Sequence, residues 1–210
     1  MRSVLEAKHT GKAGNSRRRY GIAAVLLVCF FVSAGVMAQD RDLEKEIVIN
    51  GETVSVPDVW LVTQDGKPVR FYSDLVKDKA VVIGFFYTSC VFLCTRHGEF
   101  FSGLQRQAGD RLGKEVFLVS VSMDPKSDTP ARLRKWGNTY GRKQGWTLVT
   151  GQAKEVEKLL KILTGNPIGQ TELHSTLFYV ANQQTGRWSH MSGYPVLADI
   201  ERQIEGLLKP

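Results

Sequence analysis

Two cysteines, Cys90 and Cys94, are the residues of the sequence best suited to chemistry. They stand in the run Thr-Ser-Cys-Val-Phe-Leu-Cys-Thr-Arg-His at positions 88–97. If this run opens a helix, the four-residue spacing puts both sulfur atoms on one helical face, with Cα atoms roughly 6 Å apart. A disulfide tolerates that separation, and two thiolates can equally bind a soft metal ion. A thiol at a helix start is also biased towards the thiolate.

A static disulfide in an exported domain is the structural alternative for this pair. A static bridge usually closes a long loop, and the entropy that it removes from the unfolded chain grows with the length of that loop. A bridge between Cys90 and Cys94 would close almost no loop. The sequence therefore favours a reversible disulfide or a pair of metal ligands.

Histidine is the residue that could supply a third ligand to a metal. His97 shares the cysteine face of the predicted helix, His174 lies just before a predicted strand, and His190 lies on the last predicted strand. A lone histidine is more often a surface or core residue than a ligand. Two thiolates and one imidazole form a soft trigonal site, which suits monovalent copper better than magnesium or calcium, whereas zinc usually takes a fourth ligand or a water.

Strands and helices that alternate along the chain must position these residues. The apolar runs 80–87 and 115–121 are typical of strands buried on both faces of a sheet, and a helix over about 91–112 joins them as a right-handed crossover. The cysteines come at the carboxyl end of the first strand, where ligands of open α/β sheets bind.

The pattern predicts an α/β fold, a mixed central sheet flanked by helices with an N-terminal β-hairpin extension. The remaining predicted elements are a hairpin around 64–67, a helix from 130, a strand over 146–149, a helix over 153–163, strands over 175–181 and 187–191, and a helix over 196–208.

The basic character of the 210-residue chain belongs to its first 38 residues. The formal net charge is +7, and residues 1–38 carry six basic residues against one acidic residue, which leaves +2 for residues 39–210. Nucleic-acid binding needs Lys and Arg clustered on the folded domain itself. The composition therefore argues against a nucleic-acid partner, and we expect a monomer.

The basic segment has the form of an export leader. Three arginines at 17–19 precede the uncharged stretch 21–38, and the small residues before Gln39 suit a signal peptidase. The stretch is also near the lower limit for an uncleaved membrane anchor, and both readings export the body to the periplasm or an equivalent compartment. Cys29 lies within the apolar stretch and is interpreted as a small hydrophobic residue. We divide the chain into a leader or anchor (1–38), a tether with one edge strand (39–56) and a folded α/β domain (57–210).

A further motif follows the second buried strand. Asp128, Thr129 and Pro130 form a helix-opening signature, with the threonine as cap and the proline in the first turn. Asp124 and Pro125 come at the carboxyl end of the strand, where they would border the site. A structural role in opening the helix is favoured over a ligand role for this segment.

Three segments, in order and at compatible spacing behind an export leader, resemble the Sco/SenC family of copper-binding, thioredoxin-like proteins. They are the strand that runs into positions 87–94, the run 119–130 with its Asp-Pro and Asp-Thr-Pro, and the His-Ser-Thr at 174–176; the resemblance covers roughly residues 57–208. The chain is a divergent member, because Val91 and Thr95 stand where the family has proline and Leu173 where it has aspartate. These differences leave the three ligand atoms in place, alter the loop and remove a charge beside the histidine.

The resemblance implies a copper chaperone that helps to assemble the copper centre of cytochrome c oxidase. Cys90 and Cys94 match the metal thiolates of the family, and His174 matches the imidazole ligand. The expected partner is an oxidase subunit or another copper or thiol client protein, with the membrane as a further contact if the leader is retained. Two alternatives use the same cysteines: a thiol–disulfide oxidoreductase that acts on cysteines of a partner protein, and a thiol peroxidase.

Overall fold

The computed structural model describes residues 45–49, 52–89, 93–165, 177–193 and 196–208, and for residues 93, 94, 207 and 208 it describes the backbone alone. Within these ranges the chain alternates strands and helices, as the sequence predicts. The strands are β1 (Lys45–Ile49), β2 (Glu52–Val56), β3 (Trp60–Thr63), β4 (Pro68–Arg70), β5 (Ala80–Phe86), β6 (Val116–Ser122), β7 (Trp146–Gly151), β8 (Leu177–Asn182) and β9 (Arg187–Ser192). The helices are α1 (Leu93–Ala108), α2 (Pro130–Thr139), α3 (Ala153–Thr164) and α4 (Leu197–Leu208), with a π-helical turn at Phe71–Val76 and a 3-10 turn at Gly109–Arg111.

The strands form one mixed sheet in the order β2-β1-β9-β8-β5-β6-β7-β3-β4. Strands β5, β6 and β7 are parallel neighbours, whereas β8 is antiparallel to β5, and β3 is antiparallel to β7. The two crossovers from β5 to β6 and from β6 to β7 each contain a helix, as parallel neighbours require. This arrangement is the predicted thioredoxin-like α/β fold.

The core lies on both faces of the central strands. All seven residues of β5 are buried, which agrees with its continuous apolar sequence. Alternate side chains of the strand join different clusters, with Ile83 on the face covered by α3 and Val82 on the face covered by α1, α2 and α4. Burial on both faces therefore fixes the strand at the centre of the molecule.

The β3–β4 hairpin is confirmed, with the turn at Asp65-Gly66 that the sequence indicates. Gly66 adopts a φ of 78°, a left-handed conformation that glycine reaches without a steric penalty. The hairpin joins the sheet through β7.

The predicted tether, 39–56, contributes two strands to the sheet rather than one edge strand. Strands β1 and β2 pair as an antiparallel hairpin, and β1 lies beside β9. Ile47 and Ile49 are buried while Val48 between them is half-exposed, so the segment has the period of two that a strand at a sheet surface shows. The alternation is short and lies in a charged segment, so the sequence alone does not indicate two strands there.

In the part of the chain that the structure describes, no helix combines the length and the apolar character needed to cross a membrane. The predicted leader, residues 1–38, lies outside the described residues.

Candidate metal and thiol site

The candidate site belongs to the edge of the sheet where β5 and β6 end. Phe86 and Ser122, the last residues of these strands, are paired in register. Strand β8 runs antiparallel to β5, with Phe178 opposite Gly84, so β8 begins at the edge where β5 ends. At this edge, therefore, β5 and β6 end and β8 begins.

The predicted ligands are only partly within the described structure. Cys90 and His174 lie outside the described residues, and Cys94 is described by its backbone, in the first turn of α1. Among the described residues, no group of three or more His, Cys, Asp or Glu side chains is arranged to hold a metal ion. The structure therefore describes the strands and helices around the predicted site, and the ligand set of Cys90, Cys94 and His174 stays a prediction.

The carboxylate of Asp128 joins the ends of the two central strands. It is fully buried and accepts hydrogen bonds from the Thr88 amide at 3.0 Å and from the Ser122 hydroxyl at 2.6 Å. The Thr88 hydroxyl also donates to this carboxylate. Thr88 is the second residue after β5, and Ser122 is the last residue of β6, so the carboxylate holds together the points at which the chain leaves both strands.

The connection that carries Asp128 is itself tied to β5. The Met123 amide donates to the Phe86 carbonyl at 2.8 Å, and the Asp128 amide donates to the Asp124 carbonyl at 2.8 Å. The next residue, Thr129, caps α2, because its side chain accepts a hydrogen bond from the Arg132 amide at 3.3 Å. The predicted helix opening is thus confirmed, with the threonine and not the aspartate as the cap.

His97 is a core residue of α1. Its ring is fully buried and stacks on Phe101 and Phe86, with ring centroids 4.3 Å and 5.2 Å away. The Nε2 atom lies 2.9 Å from the Ser120 hydroxyl, which also accepts a hydrogen bond from the Trp146 indole at 3.0 Å. His97 is therefore packed against the sheet, and its shared helical face with the cysteines remains a prediction, because the side chains of Cys90 and Cys94 lie outside what the structure describes.

The surroundings of His97 keep its imidazole neutral. Burial lowers the pKa of His97 from 6.5 to about 3, because the aromatic neighbours cannot solvate an imidazolium. Its Nδ1 atom is buried without a hydrogen-bond partner among the described residues. His97 consequently contributes packing and one hydrogen bond to Ser120, and it fixes the helix that carries Cys94.

Gly84 allows α1 to lie this close to the sheet. A Cβ atom on Gly84 would lie 2.7 Å from Cε1 of His97 and 2.9 Å from Cε2 of Phe101. Cβ contacts below 3.0 Å are essentially never seen, so the imidazole occupies space that a larger residue on β5 would fill. The position of α1 against β5 thus depends on a glycine in a buried strand.

His190 and Met191 lie on β9 and face opposite sides of the sheet. His190 is exposed, and its ring centroid is 6.0 Å from that of Tyr179 on the neighbouring strand. Met191 is half-buried on the face covered by α1 and α4, where its sulfur accepts a hydrogen bond from the side-chain Nε2 of Gln203 at 3.1 Å. The side chain of His190 therefore lies on the face of α3, away from α1.

An open, basic cleft borders the loop that leaves β5. It has a volume of about 310 Å³ and is lined by Thr88 and by four residues of α2, namely Arg132, Lys135, Trp136 and Thr139. The indole of Trp136 packs on Phe86, with centroids 4.3 Å apart. Positive charge beside a thiol favours its thiolate form, so two cations next to this loop suit either of the predicted thiol chemistries.

Sequence reasoning missed the role of Asp128. The Asp-Thr-Pro motif itself contains the signal. Its threonine is sufficient to cap the helix, so the carboxylate of the aspartate is available to other hydrogen-bond donors. The pairing of His97 with Ser120 could have been suspected from a serine within a buried apolar strand, because a buried hydroxyl needs a partner.

The mixed sheet, the helices on both of its faces and a cysteine-bearing helix that starts at the carboxyl end of the central strand define a thioredoxin-like domain. The family model described as SCO1/SenC matches residues 51–208, most of the chain. The protein belongs to the SCO1/SenC family.

Similar proteins of known sequence and structure agree with this membership. The SCO1 protein homolog of Bacillus subtilis (strain 168) is 28% identical over 124 residues, which are 56% of this chain and 63% of that protein. A SCO1/SenC family lipoprotein from Bacillus anthracis is 26% identical, with a TM-score of 0.61, over 71% of this chain and 92% of that one. Bradyrhizobium japonicum ScoI, solved with copper bound, has the same fold at 22% identity and a TM-score of 0.58, over 71% of this chain and 96% of its own. The match thus spans less than two thirds of the Bacillus subtilis protein.

Proposed function

We propose that this protein is an exported copper chaperone that binds monovalent copper through Cys90, Cys94 and His174. Family membership supports the proposal, and so does the donor set, because two thiolates and one imidazole form the soft, trigonal site that monovalent copper prefers. Bradyrhizobium japonicum ScoI, which shares the fold, has been solved with copper bound.

The observation that carries the proposal is the common edge of the sheet at which β5 ends and β8 begins. Cys90 is two residues beyond Thr88, and His174 is three residues before Leu177, the first residue of β8. Three residues of extended chain span at most about 10 Å, so the imidazole is tethered close to the edge where the thiol pair begins. This topology supports a shared site.

In the proposed mechanism, copper is the cargo. The pair must first be reduced, because a thiolate and not a disulfide sulfur binds the metal. Monovalent copper is then held by the two sulfur atoms and the imidazole nitrogen, and a client protein removes it by exchanging its own ligands for these, with no change in oxidation state. We propose the copper centre of cytochrome c oxidase as the client.

We also propose that the protein works outside the cytoplasm. The basic residues at 17–19 and the uncharged stretch 21–38 support an export signal or an anchor in the inner membrane. The similarity to a family lipoprotein of Bacillus anthracis agrees with an exported or membrane-associated location.

Titration of the reduced protein with monovalent copper, in competition with a chelator, tests the proposal. We expect one copper per chain. We expect His174→Ala to raise the dissociation constant at least tenfold, and the matched variant His190→Ala, which changes an exposed histidine on β9, to leave it unchanged. No one-to-one complex, or equal effects of the two variants, would contradict the three-ligand site.

The position of Cys94 in the first turn of a helix in a thioredoxin-like fold favours one alternative, thiol–disulfide exchange. In that reaction the Cys90 thiolate attacks a disulfide of a partner and releases one partner thiolate. Cys94 then attacks the mixed disulfide, releases the second partner thiolate and leaves the Cys90–Cys94 disulfide, so two electrons pass to the partner. Unlike copper binding, this exchange needs no histidine, and an activity that survives His174→Ala would favour it.

A further inference from the structure

The strongest unassigned feature near the candidate site is the buried carboxylate of Asp128. The side chain is fully buried, and a buried charge is costly unless it is hydrogen-bonded. The described donors to it are the amide and hydroxyl of Thr88 and the hydroxyl of Ser122. The carboxylate of Asp128 thus joins three hydrogen-bond donors that belong to two separate segments of the chain.

The start of α2 does not account for this carboxylate. The cap of that helix is Thr129, whose side chain accepts from the Arg132 amide, and Pro130 stands in the first turn. The donors to Asp128 come instead from the ends of the two central strands, and Thr88 is 40 residues away in sequence. Asp128 is therefore arranged to hold the connection that leaves β5.

Thr88 is separated from Cys90 by one residue, Ser89. Two residues of chain reach at most about 7 Å, so the position of Thr88 limits where the first cysteine can lie. The far side of the same connection is held as well, because His97 and Phe101 pack α1 on Gly84. Asp128 on one side of the connection and His97 and Phe101 on the other are all fully buried.

We propose that Asp128 is a positioning residue for the thiol pair, because it fixes the point from which the chain leaves β5 towards Cys90. It touches neither metal nor substrate in this role. This role should affect both the affinity for copper and the thiol–disulfide equilibrium of the pair. The effect on copper affinity rests on the proposed function, whereas the effect on the thiol–disulfide equilibrium does not.

The variant Asp128→Asn tests this role, because it keeps the size of the side chain and replaces one acceptor oxygen by a donor. A loosened connection lowers the effective concentration of one thiol near the other. We expect the Cys90–Cys94 disulfide to become about tenfold easier to reduce, a shift of about 30 mV to a more positive potential, measured by equilibration with dithiothreitol. We expect the dissociation constant for monovalent copper to rise about tenfold.

Asp58 offers a matched control. It is also buried, at 1% exposure, and its carboxylate accepts from the amides of Tyr72 and Ser73 at 2.9 Å and 3.0 Å. It leads into β3, which lies three strands from β5, a distance of about 14 Å. Asp58→Asn should destabilise the fold in urea to a similar extent and change the potential and the copper affinity less than twofold.

The outcomes separate the two proposals. If Asp128→Asn and Asp58→Asn change the potential and the copper affinity equally, Asp128 is only a structural residue and the inference is overturned. If the wild-type protein binds no copper but Asp128→Asn still shifts the potential, the inference holds and the proposed function fails.

A second pair of variants applies if Asp128→Asn does not fold. Thr88→Val removes only the hydroxyl donor to Asp128, whereas Thr88→Ser keeps it. We expect Thr88→Val to shift the potential in the same direction by a smaller amount and Thr88→Ser to behave as wild type. Equal potentials for the two variants would overturn the inference.

Discussion

At the scale of single residues, two cysteines carry the candidate chemistry, and buried side chains of the neighbouring elements support it. Cys90 and Cys94 stand out because their residue type is rare in the body and their spacing is that of one helical face. The burial of His97 could not be predicted from its spacing, because a histidine at helical spacing from a cysteine can lie on either the exposed or the buried face of the helix. Only the packing of α1 on Gly84 decides between them.

The buried state of His97 has a consequence for stability. Its pKa is about 3 in the folded protein and near 6.5 in the unfolded chain, so the unfolded chain binds more protons between these values. The contribution of neutral His97 to the free energy of unfolding is therefore complete above pH 6.5 and falls as the pH drops, by about 1.4 kcal/mol per pH unit.

We predict that the free energy of unfolding of the wild type falls by about 2 kcal/mol more than that of His97→Leu between pH 7 and pH 5. Urea unfolding of the copper-free protein at both pH values measures this difference. His190→Gln is the matched control, because it removes an imidazole that is exposed. A slope for His97→Leu equal to that of wild type would mean that the imidazole is solvated in the folded protein.

At the scale of elements, the β5–α1 unit determines where the thiol pair can lie. Its existence and order follow from the sequence, because a continuous apolar run followed by a helical pattern is typical of a central strand and its crossover. The carboxyl end differs: the helix predicted over about 91–112 ends at Ala108 and is followed by a 3-10 turn. Gly109, with a φ of 53°, ends the α-helix at a point where apolar spacing alone predicts continuation.

We predict that Gly84→Ala lowers the free energy of unfolding by about 1–3 kcal/mol, because the added methyl group overpacks the contact with His97 and Phe101. Thermal or urea unfolding measures the loss. Gly206→Ala on α4 is the matched control, since its Cβ would meet no atom within 4 Å, and alanine in place of helical glycine should be neutral or stabilising by about 0.5–1 kcal/mol. Similar effects of both substitutions would show that α1 is not packed closely on β5.

At the scale of the whole molecule, the sequence predicts the class of fold and the order of its central elements, but not the full extent of the sheet. The pairing of β1 with β9 joins segments that are far apart in sequence, and a short amphipathic strand carries no signal of which edge it will meet. The burial of Ile47, Ile49 and Val56 makes β1 and β2 part of the same core as α3. The net charge of +7, by contrast, is explained from sequence alone, because most of it lies in the first 38 residues.

The central claim is that two sulfur atoms and one imidazole nitrogen hold monovalent copper, and X-ray absorption at the copper K-edge tests it most directly. For the protein loaded with one copper per chain we predict two sulfur neighbours and one nitrogen neighbour, with the nitrogen lost in His174→Ala. A spectrum without sulfur neighbours, or one that His174→Ala leaves unchanged, would contradict the account.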